Sequence, residues 1–312
     1  MVNSPKVSII IPVYNGGKYL AEAIQSAIDQ TYRPIEVLVV DDASMDRSAE
    51  IAASFGPPVR VLRNERNMER SWSRNRAVRE SSGELIAFLD ADDLWLQDKL
   101  EKQVALLIQQ PACALAYAKT QVFVTENGNK VYKQISGGSY QGDRCDRYLV
   151  RCNFLPMLTV MVRRTCFDAV GGFDCTPWVQ GCEDYDLWLR LANRFPIAFL
   201  DSVVALYRSH AEQTTTNNRR IEITSARVRW RFIKNHAEAL IGKTRAEIWL
   251  DRYQHLARFA DRATRRGDYA DAINSFMVLI KDRPWHLRWS LSLYTAILKY
   301  LRVVCRKLIM HS

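Results

Sequence analysis

The chain has 312 residues, 48% hydrophobic and 25% charged, which gives it the apolar surface to bury a core and excludes a disordered chain. Thirteen glycines and ten prolines without a period exclude collagen-like and low-complexity classes. The net charge of +10 is lopsided, since residues 219–312 carry 20 basic and 8 acidic side chains and the remainder 24 and 26. A uniformly basic nucleic-acid binder would not divide its charge this way, and no nucleic-acid partner is expected.

Val7–Ile11 is a β-branched run, the mark of a strand buried on both faces. After Pro12-Val13-Tyr14-Asn15-Gly16-Gly17 a helical pattern runs from Lys18 to Gln30. Ile35–Val40 is a second strand ending at Asp41-Asp42, and Asp46 is placed to cap a helix reaching Phe55. Val59–Leu62 is a third strand, followed by a helix near Ser71–Ser82. Leu85–Leu89 is a fourth, stopping at Asp90-Ala91-Asp92-Asp93 before a helix over Gln97–Gln109. Alternating strands and helices predict βαβ units and a mostly parallel sheet.

The stretch 113–210 is less regular, with strand-like Leu115–Val124, Leu158–Val162 and Ile197–Leu206 and a helix Tyr185–Arg194. Beyond Asn217 the pattern is helical, so the expected domains are 1–217 and a basic helical region 218–312. Gly267-Asp268-Tyr269, Ala272, Phe276, Ile280 and Pro284 are spaced like one tetratricopeptide-type hairpin. On a helical wheel Leu293–Met310 has two faces, with Leu293, Ile297, Leu301, Val304 and Leu308 opposite Lys299, Arg302 and Arg306. Segment 284–312 is therefore a candidate for peripheral contact with an anionic membrane, or for packing on other helices.

Seven cysteines without a Cys-x-x-Cys pair point to a reducing compartment. The longest uncharged stretch of the tail, Trp289–Leu298, is about half the ~20 residues of a spanning helix. The expected location is cytoplasmic, peripheral on the inner face of the membrane if the tail binds lipid.

The sheet pattern already locates a site, because ligands of open α/β sheets bind beyond the carboxyl ends of the strands. Tyr14, Asp41, Asp42, Asp90, Asp92 and Asp93 lie at such ends. Neither G-x-G-x-x-G nor the P-loop motif is present, so phosphates need another partner. Three carboxylates in four residues repel one another unless neutralised, and Mg²⁺ or Mn²⁺ takes such oxygens while leaving positions for substrate phosphates. Alternatively, one or two of the three serve a helix N-terminus. Asp42 is suited to a nucleobase or ribose, with Tyr14 as an aromatic face beside it; Asp46 goes to the cap. Glu183-Asp184-Tyr185-Asp186 opens a helix, where acids balance the dipole or supply a general base, for which Asp184 is the choice. His210 ends Tyr207-Arg208-Ser209-His210 and either lies at the surface or reaches a metal or diphosphate. Arg74-Asn75 lies on an exposed helix face or points into the crevice.

Taken in order, Val7–Asn15, Val39–Ser44, Arg74-Asn75, Gly83–Asp93, Gly171-Gly172-Phe173-Asp174, Glu183–Arg190 and Tyr207–His210 resemble the family 2 glycosyltransferases, over about residues 1–215. The resemblance implies the GT-A fold, a Rossmann-like α/β sheet. It implies that Pro12, Tyr14, Asp42, Arg74, Asp90 and Asp92 contact a nucleotide-sugar, that Asp92, Asp93 and His210 hold Mg²⁺ or Mn²⁺, and that Asp184 is the base. UDP-sugar is the default donor, and a saccharide or lipid-linked molecule the acceptor. Ala43 replaces a usual glycine, and the Gln-x-x-Arg-Trp signature of processive members is missing, Ala226 standing three residues before Arg229. One sugar per encounter is therefore expected, with inversion and no covalent intermediate. A sugar-phosphate nucleotidyltransferase is the alternative, and would release pyrophosphate instead of nucleoside diphosphate. A non-catalytic nucleotide-sugar-binding scaffold is the other.

Overall fold

The structure is a computed structural model describing residues 4–210, 213 and 218–236. All of these belong to a compact unit spanning Met1–Ala239. The hairpin pattern at 267–284, the amphipathic pattern at Leu293–Met310 and the segment 284–312 lie outside the described residues.

Strands β1 (Val7–Val13), β2 (Ile35–Asp41), β3 (Val59–Arg63) and β4 (Leu85–Phe88) pair in parallel in the order β3-β2-β1-β4. They are joined by α1 (Gly17–Ile28), α2 (Ser48–Ala53) and α3 (Glu69–Glu80). Side chains alternate across this sheet, as strand geometry requires. Ile9 and Ile11 pack with Leu20 and Ile24 of α1. Ile10 packs on the other face with Ala77 and Val78 of α3. Each fully buried side chain of this kind contributes roughly 1.5–3 kcal/mol.

Past β4 the sheet is mixed, which differs from the mostly parallel expectation. β8 (Met161–Arg163) runs antiparallel to both β4 and β6 (Leu115–Glu126), and β9 (Ile197–Arg208) runs parallel to β6. β5 (Leu94–Trp95) pairs antiparallel with β9, and β7 (Asn129–Ser136) with β6. The β6–β7 hairpin follows from local chemistry: Asn127 and Gly128 take φ of 51° and 79°, the paired positive φ of a tight turn whose twist matches its strands. Leu158–Val162 is divided, with a 3₁₀ turn at Met157–Thr159 ahead of β8.

The remaining described helices are α4 (Lys99–Gln109), α5 (Asp146–Leu149), α6 (Arg164–Ala169), α7 (Glu183–Arg194) and α8 (Asn218–Asn235). Helix α8, expected to open the basic tail, instead sends Val228 and Phe232 into the core that holds Trp188 and Leu191 of α7. Among the described residues no helix is long and apolar enough to cross a membrane. The chain leaves β1 toward β2 on one side and returns to β4 on the other, so a crevice opens at the carboxyl ends of β1, β2 and β4.

Candidate active site

A cleft of about 380 Å³ occupies that crevice. Of the predicted residues, Pro12, Tyr14, Asp42, Asp90, Asp92, Asp93 and His210 line it, whereas Arg74 and Asp184 do not. Tyr14 is half exposed at the end of β1. Across from it, Asp42 is buried, and its Oδ1 accepts hydrogen bonds from Asn64 Nδ2 (2.5 Å) and Met68 N–H (2.9 Å). Those donors fix the carboxylate's orientation. Asp46 acts as a cap for two helices at once, accepting from Gly17 N–H (2.9 Å) at the head of α1 and from Ser48 N–H (3.0 Å) at the head of α2.

At the end of β4 the three carboxylates separate into three roles. Asp90 Oδ1 is 2.7 Å from Arg74 Nη2. Asp92 Oδ2 is 3.0 Å from His210 Nε2, which brings β4 and β9 together at the cleft. Asp93 is buried, and its Oδ1 accepts from the backbone N–H of Arg208 at 2.9 Å. Burial, then the charges of Asp92 and Asp90, push the Asp93 carboxyl well above the ordinary carboxylate range. Expected as a metal ligand, Asp93 lines the cleft with one carboxylate oxygen held by β9.

Arg208 is a residue that the sequence motif contained and left without a role. Buried at 4% exposure, it donates to Asp92 O (2.8 Å) and Glu22 Oε2 (3.0 Å) and lies 4.3 Å from the centroid of Tyr19. Tyr19 in turn packs against His210 at 5.1 Å between ring centroids. The signal available in the sequence was a cation inside the motif that ends at His210.

Arg74 is not on an exposed face, and its side chain does not line the cleft. It is 2% exposed, its Nη1 donating to Glu183 Oε1 at 2.9 Å and its Nη2 to Asp90. Burial and flanking carboxylates explain this inward turn, because a buried guanidinium needs paired acceptors. Asn75 beside it bonds both backbone groups of Phe173, at 2.8 and 3.0 Å. Gly172 (φ +69°) makes that possible, since a Cβ there would stand 2.7 Å from Asn75 Oδ1.

Asp184, in the first turn of α7, is partly exposed and accepts from Tyr185 N–H at 2.7 Å. A helix N-terminus favours ionised acids, yet burial and then the charge of Glu183 outweigh it. Together they push Asp184 up to about 7, against the lowering contributions of Tyr185 N–H and Arg74. A carboxylate with that proton affinity is suited to take a proton near neutral pH.

The donor set at the cleft fits a hard divalent cation. Asp92 and His210 offer one oxygen and one nitrogen side by side, and His210 Nδ1 is buried without a hydrogen-bond partner. Among the described residues no group of three or more such side chains is already assembled. Mg²⁺ and Mn²⁺ commonly bind through one or two protein ligands and fill the shell with phosphate oxygens and water.

The parallel half-sheet with its crevice, three carboxylates after β4 and a second acidic motif at the start of a helix make up a GT-A fold. The family model described as glycosyl transferase family 2 matches residues 8–166, and the chain belongs to that family. An uncharacterized glycosyltransferase of Rickettsia prowazekii (strain Madrid E), RP339, is 31% identical, over 69% of this chain and 67% of its own. An Escherichia coli UDP-Glc:alpha-D-GlcNAc-diphosphoundecaprenol beta-1,3-glucosyltransferase, WfgD, is 32% identical over 68% of this chain and 80% of its own. Three other rickettsial glycosyltransferases are matched over 35%, 34% and 30% of their length, so the chain spans about a third of those relatives. The fold is also that of the mannosyltransferase PcManGT from Pyrobaculum calidifontis in complex with GDP-Man and Mn²⁺, with a TM-score of 0.57. That likeness has 19% identity and covers 98% of this chain and 87% of the other.

Proposed function

We propose that this chain is a metal-dependent, inverting glycosyltransferase that moves one sugar from a nucleoside-diphosphate sugar to an acceptor hydroxyl in surface polysaccharide or glycolipid synthesis. The observation that carries the reading is the convergence of Tyr14, Asp42, Asp92 and His210 on one cleft, with Asp184 linked to its edge through Glu183, Arg74 and Asp90. Tyr14 stacks on the base and Asp42 accepts from base or ribose. Asp92 and His210 hold Mg²⁺ or Mn²⁺, which when bound offsets the charge building on the leaving diphosphate.

Asp184 takes the proton of the acceptor hydroxyl. The oxygen bonds to the anomeric carbon as the carbon–oxygen bond to the diphosphate breaks on the opposite face. Configuration inverts, and the nucleoside diphosphate leaves. The E. coli relative's UDP-linked donor and lipid-linked acceptor support a UDP-sugar here and an acceptor on a lipid carrier. A basic segment 284–312 at an anionic bilayer would bring the cleft to such an acceptor.

The test is a thermal-shift panel of UDP-, GDP- and dTDP-sugars, each with Mn²⁺ and with EDTA. Metal-dependent stabilisation by one nucleotide supports the reading and names the base. The anomeric configuration of the product, read by NMR, then tests inversion, and release of pyrophosphate would favour a nucleotidyltransferase instead. Flotation with anionic liposomes, full-length chain against a 1–283 truncation, tests the membrane contact.

A further inference from the structure

Arg74 is the largest charged side chain among those fully buried in the described residues, and its place is specific. Its two terminal nitrogens reach carboxylates 93 residues apart in sequence, Asp90 at 2.7 Å and Glu183 at 2.9 Å. Glu183 is itself held, its second oxygen accepting from Gly181 N–H at 2.7 Å. The guanidinium carbon lies 5.5 Å from the centroid of Phe173, in the segment whose backbone Asn75 grips from both sides. One turn of α3 thus fastens both the end of β4, which carries the donor carboxylates, and the approach to α7, which carries Asp184.

We infer that Arg74 is a positioning residue, a buried fork that fixes Asp184 relative to Asp90 and so holds the base in register with the bound donor. The inference rests on the glycosyl-transfer reading above and adds a residue role to it. A planar guanidinium can serve two carboxylates at fixed angles, whereas an ammonium is a point charge on a flexible stem. Neutralising buried acids would need only the charge; holding two elements at a set distance needs the fork. A misplacement of about 1 Å far from the bonds being changed can cost on the order of 10²-fold in rate.

The experiment compares full-length wild type with Arg74→Lys and with the double variant Arg74→Met, Glu183→Gln. The readout is Mn²⁺-dependent hydrolysis of UDP-glucose, UDP-N-acetylglucosamine and GDP-mannose to free sugar and nucleoside diphosphate. In this reaction water replaces the acceptor and Asp184 takes its proton. Arg74→Lys should lower kcat by about 10²-fold while KM for the donor stays within about threefold. The double variant removes both charges of the fully buried pair and leaves only Asp90, a third exposed, without its partner, so it should still fold cooperatively and lose at least about tenfold in kcat. Near-wild-type kcat in either variant would overturn the inference and leave the parent reading standing. Absence of turnover and of Mn²⁺-dependent binding by wild type with all three donors would take down both.

Discussion

Asp92 and Glu183 each belong to an acidic motif of the site, but their side chains are 36% and 4% exposed. On the donor side the carboxylates stand at strand ends, facing a cleft, with His210 beside them. On the base side they stand at a helix N-terminus, with Glu183 buried against Arg74 and Asp184 pushed up to about 7 by burial and its neighbour's charge. Asp92 thus stays open to the cleft while Asp184, like the buried Asp93, is raised in proton affinity, and the surroundings set the difference.

The strongest way to break this contrast is Asp184→Asn. It should lower kcat by roughly 10²–10⁴-fold while donor affinity, measured by calorimetry, stays near wild type. Retained turnover would remove Asp184 from the base role. Asp92→Ala attacks the other side, and should weaken donor binding in Mn²⁺ by at least about tenfold. In EDTA the variant and wild type should bind alike. A variant equally weak with and without Mn²⁺ would mean that Asp92 does not hold the ion.

The pH dependence sharpens the comparison. With Asp184 at about 7, kcat should rise with pH and level off above that value. The same group must also leave a mark on stability. Its folded value lies above the unfolded 3.8, so the native state binds the extra proton between them, and stability falls as pH rises through that window. Asp184→Asn should therefore melt higher than wild type at about pH 8 and equally near pH 4, read by calorimetry. Equal melting at both would contradict the raised proton affinity.

The smallest effect concerns a buried charge with no part in the site. Lys99 is buried, its Nζ 2.7 Å from Gln103 Oε1 and 4.1 Å from the centroid of Trp95, and burial pushes its ammonium well below its ordinary value. The native state gives up this proton before the unfolded chain does, so wild-type stability should rise with pH above the folded value. Lys99→Met should lose that slope and gain about 1 kcal/mol near neutral pH, measured by urea unfolding. A loss of stability would show that the Gln103 contact outweighs desolvation.

Much of the donor side was legible in the sequence because its chemistry is local. Each βα unit writes a buried apolar run, a break and an amphipathic helix within about 30 residues, and the acids at the breaks must then meet at the strand ends. Val7–Ile11, Ile35–Val40 and Leu85–Leu89 each coincide closely with a strand for that reason. The β7 hairpin escaped because its strand is exposed almost throughout and lacks a hydrophobic run; the Asn127-Gly128 turn was its sole signal. The two-residue β5 is too short to carry any periodicity.

The sequence by itself determined the family, the first half of the sheet and the identity of the acidic motifs, since these depend on residue type and short spacing. Tertiary structure alone decided which way each charged side chain turns. A linear reading left Arg74 between an exposed face and the crevice and gave Arg208 no role, yet each is buried because carboxylates and carbonyls from elements about 100 residues away surround it. The same long-range packing brings Asp92 to His210 and raises Asp184 beside Glu183. Electrostatic surroundings belong to the folded space around a group, and a string of residues does not contain them.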